Sequence, residues 1–198
     1  LKTLRIPSID ILYVHDATIL RDKKNGKLFL KNLEKIKKKK LIKKIGISIY
    51  TMAEFKFLIK NYKFDALQIP INIFNQRFNN TFFIENVEKK KIFVEARSVF
   101  MQGLFFIDLK KLPNRLSVFK KKIIKLNKIS NNNKIRKISI CLNFLKNKTF
   151  IKKIIIGVNT IDQLRDIDNA YQSNNKLPNN ISYKIFKSNS KFVDINKW

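Results

Sequence analysis

Short apolar runs recur along the chain, separated by longer stretches whose apolar residues fall at helical spacing. The first run, Ile9-Asp10-Ile11-Leu12-Tyr13-Val14-His15-Asp16, is of a kind that a parallel sheet buries on both faces. The pattern predicts strands at 9–15, 44–49, 66–73, 92–99 and 154–158. Between them it predicts helices at 27–40, 52–61, 84–90, 112–128, 135–145 and 161–171, with Thr51 and Thr160 as N-caps. Residues 21–26 and 130–134 read as loops, and 75–83 as a mixed segment. Pro70 argues against a central hydrogen-bonded position for its strand. Strands alternating with helices predict βαβ units and a parallel sheet, with neighbouring strands in chain order. The final stretch, 172–198, is rich in Asn, Ser and Lys and has no clean period. It reads as a tail that Tyr183, Phe186 and Trp198 could anchor.

The predicted strands end in polar residues. His15 and Asp16 follow the first; the others end in Gly46-Ile47-Ser48, in Gln68 to Asn72, in Glu95-Ala96-Arg97-Ser98 and in Gly157-Val158-Asn159-Thr160. The carboxyl ends of parallel strands are where α/β folds build their sites. One rim of such ends predicts a barrel enzyme or a piece of one, with His15, Ser48, Gln68, Arg97 and Asn159 facing a common cleft.

Composition narrows the classes. With 198 residues and 44% hydrophobic content, the chain can bury one sizeable core and is not a disordered polypeptide. No stretch approaches the roughly 18 consecutive apolar residues of a membrane span, and no secretory leader is visible, so the expected location is cytoplasmic. The one cysteine, Cys141, excludes an intrachain disulfide and reads as buried and inert. The formal net charge of +29 points at first to a polyanion. Yet only seven of the 43 basic residues are Arg, whereas phosphate and base readout favour the Arg fork. Abundant Lys, Ile, Asn and Phe fit a compositional bias better than a nucleic-acid footprint. The expected residue of that charge is a weak, salt-sensitive affinity for polyanions.

Five motifs in order carry a family resemblance. Leu1-Lys2-Thr3-Leu4 followed by Ile9 to Asp16 is similar to the fourth strand of the aldo-keto reductases and the helix that leads into it. Leu41-Ile42-Lys43-Lys44-Ile45-Gly46-Ile47-Ser48 resembles their fifth strand, and Leu67-Gln68-Ile69-Pro70-Ile71-Asn72 their sixth. Glu95-Ala96-Arg97-Ser98-Val99-Phe100-Met101-Gln102-Gly103-Leu104 resembles a version of the seventh found in some bacterial members. Ile155-Ile156-Gly157-Val158-Asn159-Thr160, with Gln163-Leu164, is similar to the eighth and its phosphate-facing loop. The resemblance covers residues 1–171, the C-terminal five-eighths of such an enzyme, with 172–198 as the tail.

That resemblance implies a partial (β/α)8 barrel and the NADP(H)-dependent reduction of a small carbonyl substrate, with NAD(H) as the alternative cofactor. His15 matches the catalytic histidine that orients and polarises the carbonyl. The tyrosine, lysine and aspartate that complete the family's catalytic set precede its fourth strand and match no position here. The chain therefore reads as a fragment, without turnover by itself. Ser48 matches one half of a Ser-Asn pair on the nicotinamide carboxamide, with Ile49 in place of the Asn. Gln68 matches a glutamine that meets the same amide. Arg97 and Ser98 stand at the end of strand seven, where Arg97 could serve the diphosphate. Gly157, Asn159 and Thr160 match the loop over the adenosine phosphate, which here offers hydrogen bonds but no charge. Gln163 matches a position near the adenine. No metal is implied.

Plainer roles exist for each. Ser48 and Ser98 could satisfy nearby backbone, Gln68 could be a core amide, Asp16 could cap the following turn, and Arg97 could pair with Glu95 or Asp108. At the level of function, the alternatives to an oxidoreductase are a catalytically inactive partial barrel that binds a nucleotide or partner, and, last, a nucleic-acid-associated basic protein. A five-strand arc is also expected to expose two edges and an uncovered apolar inner face.

Overall fold

The computed structural model describes residues 1, 3–173, 177–179 and 181–198. Its principal elements are β1 (Ile9–Val14), α1 (Lys23–Lys38), β2 (Ile42–Ser48), α2 (Met52–Asn61), β3 (Ala66–Pro70) and α3 (Thr81–Lys89). They continue with β4 (Phe93–Arg97), α4 (Lys120–Asn132), α5 (Lys137–Lys146), β5 (Ile151–Ile154) and α6 (Ile161–Gln172). The strands form one sheet in the order β1-β2-β3-β4-β5. β1 pairs with β2, and β2 with β3, in parallel, placing Tyr13 opposite Gly46 and Ser48 opposite Gln68. This is the α/β arrangement that the alternation predicts. β3 is nonetheless the middle strand, against the expectation from Pro70. The proline is the last residue of β3, where its missing N–H disturbs the ladder least.

Caps explain where helices begin. Asp22 Oδ1 accepts from the backbone N–H of Lys24 at 2.9 Å, so α1 starts before the expected Lys27. Asn80 Oδ1 accepts from Phe83 N–H at 3.0 Å, which moves the start of α3 forward to Thr81. Thr51 and Glu54 form a reciprocal capping box at the head of α2, satisfying two helix-end donors at once. The expected helix over 112–128 is interrupted. Pro113 forces Leu112 into an extended conformation, and 3₁₀ turns at Leu109–Lys111 and Asn114–Phe119 precede α4. In turn α4 runs to Asn132, into the expected loop. β5 lies earlier than the apolar run 154–158. The run straddles the strand end, and the N–H of Ile155 still donates to Ala96 O at 2.8 Å.

The chain divides into two compact units, one of residues 1–69 and 77–95, the other of 70–76 and 96–198. In the first unit the strands alternate. Ile45, Ile47, Ile49, Leu67, Ile69 and Val94 are fully buried, as are Phe55 and Phe83 from the helices. The Phe55 and Phe83 rings lie 4.6 Å apart between centroids. Burying one such side chain contributes about 1.5–3 kcal/mol. The intervening strand positions, on the other face, are Tyr13, Lys44, Gly46, Ser48, Gln68, Phe93 and Glu95. Lys44 Nζ stands 4.6 Å from the centre of the Phe93 ring. Ile9, Ile11, Ile42 and Ala66 share that face by register, so the expected apolar inner face is mixed in this unit, with Lys44, Ser48, Gln68 and Glu95 interrupting it. Small Gly46 and Ser48 within isoleucine-rich β2 disguise the period.

In the second unit α5 is buried from Ser139 through Leu145. Phe74 stacks with Phe119 at 5.6 Å and meets Phe105 edge-on at 4.7 Å. Much of the final stretch packs into this unit, although residues 174–176 and 180 of it lie outside those described. Phe186 is fully buried, Gln76 Nε2 donates to Tyr183 O at 2.8 Å, and Trp198 Nε1 donates to Phe192 O at 2.8 Å. Aromatic anchors and borrowed carbonyls order a segment that lacks periodicity.

Candidate active site

His15 is the first residue past β1 and is exposed. Asp16, beside it, accepts from Thr18 N–H at 2.9 Å. That hydrogen bond holds its carboxyl below the ordinary value, which is the capping role foreseen as the plainer reading. Ser48 ends β2 and is 1% exposed, and its Oγ has no hydrogen-bond partner among the described residues. A buried hydroxyl without a partner is costly. Gln68 is half-buried in β3 and its Nε2 donates to Glu95 Oε2 at 3.4 Å. Glu95 also faces the Tyr13 phenol. Burial and then this carboxylate push the Tyr13 hydroxyl well above the ordinary phenol range, so Tyr13 holds its proton firmly.

The second unit gathers the remaining candidates more closely. Ser98, Gly157, Asn159 and Gln163 line one cavity of about 920 Å³, within the range of cofactor sites. Arg97 is not on its wall but donates from Nη1 to Ser98 Oγ at 3.3 Å. Thr160 is the N-cap of α6: its Oγ1 accepts from Gln163 N–H at 3.2 Å, while Gln163 Oε1 accepts from Asn159 N–H at 2.9 Å. The pair fixes the loop that carries Gly157 and Asn159. A Cβ built at Gly157 meets nothing within 4 Å, so the wall is open there.

Several residues that shape this cavity were not singled out in the sequence. Asn72 Nδ2 donates to Ser98 O at 2.9 Å, while its Oδ1 accepts from Phe74 and Asn75 N–H. Asn72 thereby pins the start of the loop after β4. That loop is left-handed at Ser98, Met101, Gln102 and Gly103, with φ of 56°, 45°, 51° and 84°; Gly103 was its visible signal. Arg136 and Lys137, at the head of α5, and Asp166 of α6 also line the cavity. They are lost to sequence reasoning among so many lysines. Among the described residues no group of three or more His, Cys, Asp or Glu side chains is placed to hold a metal ion. No helix of the described residues is long and apolar enough to cross a membrane.

The sequence model of the aldo/keto reductase family matches residues 1–181, while no curated protein matches. Solved structures are similar in fold. Aldo-keto reductase AKR11C1 from Bacillus halodurans, in its apo form, gives a TM-score of 0.70 at 16% identity, over 87% of this chain and 59% of that one. Its holo form gives 0.70 at 16% identity over 87% and 58%. A thermostable aldo-keto reductase, Tm1743, in complex with the inhibitor epalrestat, gives 0.63 at 18% identity over 98% and 62%. The chain thus spans about three-fifths of the length of these proteins, and at such identities the likeness shows the fold: a parallel α/β sheet of the barrel type. The family match extends over the strands, the cavity and the head of the final stretch alike, and by it this chain belongs to the aldo/keto reductase family.

Proposed function

We propose that the chain serves the NAD(P)H-dependent reduction of a small carbonyl compound to an alcohol, in the cytoplasm. The observation that carries this reading is that one cavity is lined by Ser98, Gly157, Asn159 and Gln163 together, the residues whose family resemblance implies nucleotide contacts. The partnerless Ser48 hydroxyl supports it, because a carboxamide would satisfy it. A nicotinamide nucleotide, when bound, supplies the hydride. The residues of this chain bind and orient: Ser98, Asn159 and Gln163 hold the nucleotide, with Arg97, Gly157 and Thr160 shaping their surroundings. Ser48 and Gln68 take the carboxamide, and His15 holds the carbonyl oxygen. The proton donor is not among these residues. The family's tyrosine, lysine and aspartate match no position, and Tyr13, held protonated by burial and Glu95, is no substitute. That observation favours, as second reading, a nucleotide-binding protein without turnover of its own.

Calorimetric titration of the 198-residue chain with NADPH tests the proposal. Binding that Ser98→Ala and Asn159→Ala each weaken is expected; absence of binding overturns it. Steady reduction of a small aldehyde by this chain alone, abolished by His15→Ala, would show that another group of the chain donates the proton.

A further inference from the structure

The strands of the first unit begin at one end of the sheet, opposite the rim of His15, Ser48 and Gln68, and the turns that lead into them lie side by side. Asp65 stitches these turns together. Its carboxylate accepts from Lys37 Nζ at 2.6 Å and from Ile45 N–H at 2.8 Å. Its backbone carbonyl accepts from Phe93 N–H at 2.9 Å, and Ile9 N–H, at the start of β1, donates to Leu41 O at 3.0 Å. Asp10 is paired with Lys43 at 2.7 Å. Both of these acids are thus engaged within the rim. The side chains left to solvent are mainly cationic: Lys38 to Lys40 before β2, Lys63 before β3, and Lys89 to Lys91 before β4, all exposed, with Glu88 beside the last three.

The pull of a helix C-terminus on cations explains a lysine in the last turn of a helix. It does not explain Lys40 and Lys91. Each follows its helix in left-handed backbone, with φ of 58° and 52°. In each case the next N–H reaches back into the helix, Leu41 to Ile36 O at 3.3 Å and Ile92 to Val87 O at 2.8 Å. Glycine is the residue that such a helix ending ordinarily takes. Two equivalent turns therefore accept backbone strain and carry a cation. Leu41, 38% exposed, stands among these lysines, and exposed Leu4 and Ile6 lead into β1 at the same end. The turns hold no arginine, whose fork suits nucleic-acid phosphates. Their aromatic rings, Tyr62 and Phe64, are buried and half-buried, a poor platform for stacking a base. Point charges around exposed aliphatic side chains suit a layer of lipid headgroups.

We propose that this rim of the first unit is a docking surface for an anionic membrane, on which the chain lies without crossing it. The lysines meet the headgroups and Leu41 enters the interface. The carboxyl ends of β1, β2 and β3 then face away from the bilayer, so His15, Ser48 and Gln68 stay open to ligands from water.

Sedimentation of the full 198-residue chain with vesicles tests this. Vesicles of phosphatidylcholine with about 30% phosphatidylserine should bind the chain, and vesicles of phosphatidylcholine alone should not. Binding should weaken as salt rises from about 0.1 to about 0.5 M. The variant Lys39→Gln, Lys40→Gly, Lys90→Gln, Lys91→Gly removes four rim charges while relieving left-handed backbone, so its urea midpoint should be kept or raised. A lysine near such a surface contributes about fivefold, so this variant should lose at least about a hundredfold in partition. Lys39→Gln with Lys90→Gln, which leaves both helix endings untouched, should lose about twenty-fivefold. Lys120→Gln, Lys121→Gln, Lys125→Gln, Lys128→Gln removes the same charge from exposed positions of α4 and should lose less than about tenfold. Equal losses in the two fourfold variants, or no binding to the anionic vesicles, overturn the proposal. Rim-dependent binding of a single-stranded uridine oligonucleotide, without sedimentation on vesicles, would assign the surface to nucleic acid and overturn it as well.

Discussion

The ring of Tyr13 occupies the space in which a side chain at Gly46 would stand: a Cβ there would lie 2.4 Å from Tyr13 Cε1. The two residues are direct partners in the β1–β2 ladder, so neither strand can yield without breaking pairing. Gly46→Ala should therefore destabilise the protein by about 1–3 kcal/mol, the usual scale of overpacking. The same change in a Tyr13→Ala background should cost much less. Urea midpoints for the four members of this cycle check the coupling.

Alkaline stability should report on the Tyr13 phenol. Its folded value lies above the unfolded 10.0 because of burial first and Glu95 second. The contribution is complete below pH 10, where the phenol is protonated in both states. It is lost as pH rises beyond 10, because the unfolded chain releases a proton that the folded one retains. Tyr13→Phe should flatten the fall in denaturation free energy above pH 10. A residual slope from Tyr62 and Tyr183, both also raised by burial, should remain. An unchanged slope would contradict the assignment.

Cys141 is 1% exposed in the middle of α5, and burial raises its thiol well above the ordinary range. Thiolate is the reactive form. A disulfide reagent at pH 8 should leave the native protein unmodified over a time in which the urea-unfolded chain reacts fully. Rapid modification of the native protein would show that α5 opens readily.

The capping box at α2 sets a smaller expectation. Thr51→Ala removes an acceptor for Glu54 N–H and should cost about 1 kcal/mol, whereas Thr51→Ser should be close to neutral. Thermal midpoints of the two variants distinguish loss of the cap from loss of a methyl group.

Much of this architecture is written in local patterns. The order of strands and helices follows from apolar periodicity, and Thr51 and Thr160 were readable as caps because each stands just before its helix. The boundaries that moved did so where a side chain accepts backbone donors, as Asp22 and Asn80 do, or where Pro113 bars a helix. The polar positions on the inner face of the first unit were hidden because Gly46 and Ser48 are small enough to pass within an isoleucine-rich strand. For the site, the residues that line the cavity from the strand ends were legible through position and family likeness. Arg136 and Lys137 were not, because one charged pair has no signature in a chain with 43 basic residues. Asn72 likewise reveals its role only when Ser98 is seen beside it.

The run from Ser98 to Gly103 holds three residues with side chains in left-handed backbone, a conformation that costs each roughly 1 kcal/mol or more. That makes the cavity wall a loaded spring. Its local opening releases energy that the strand before it does not, so amide protons in this segment should exchange ahead of those in β4. A ligand that seats against the wall must hold the spring closed, and its measured affinity is reduced by that work. Affinity can then be raised through the backbone of the wall as well as through new contacts: Gln102→Gly, at a wall residue, lowers the tension and should tighten binding.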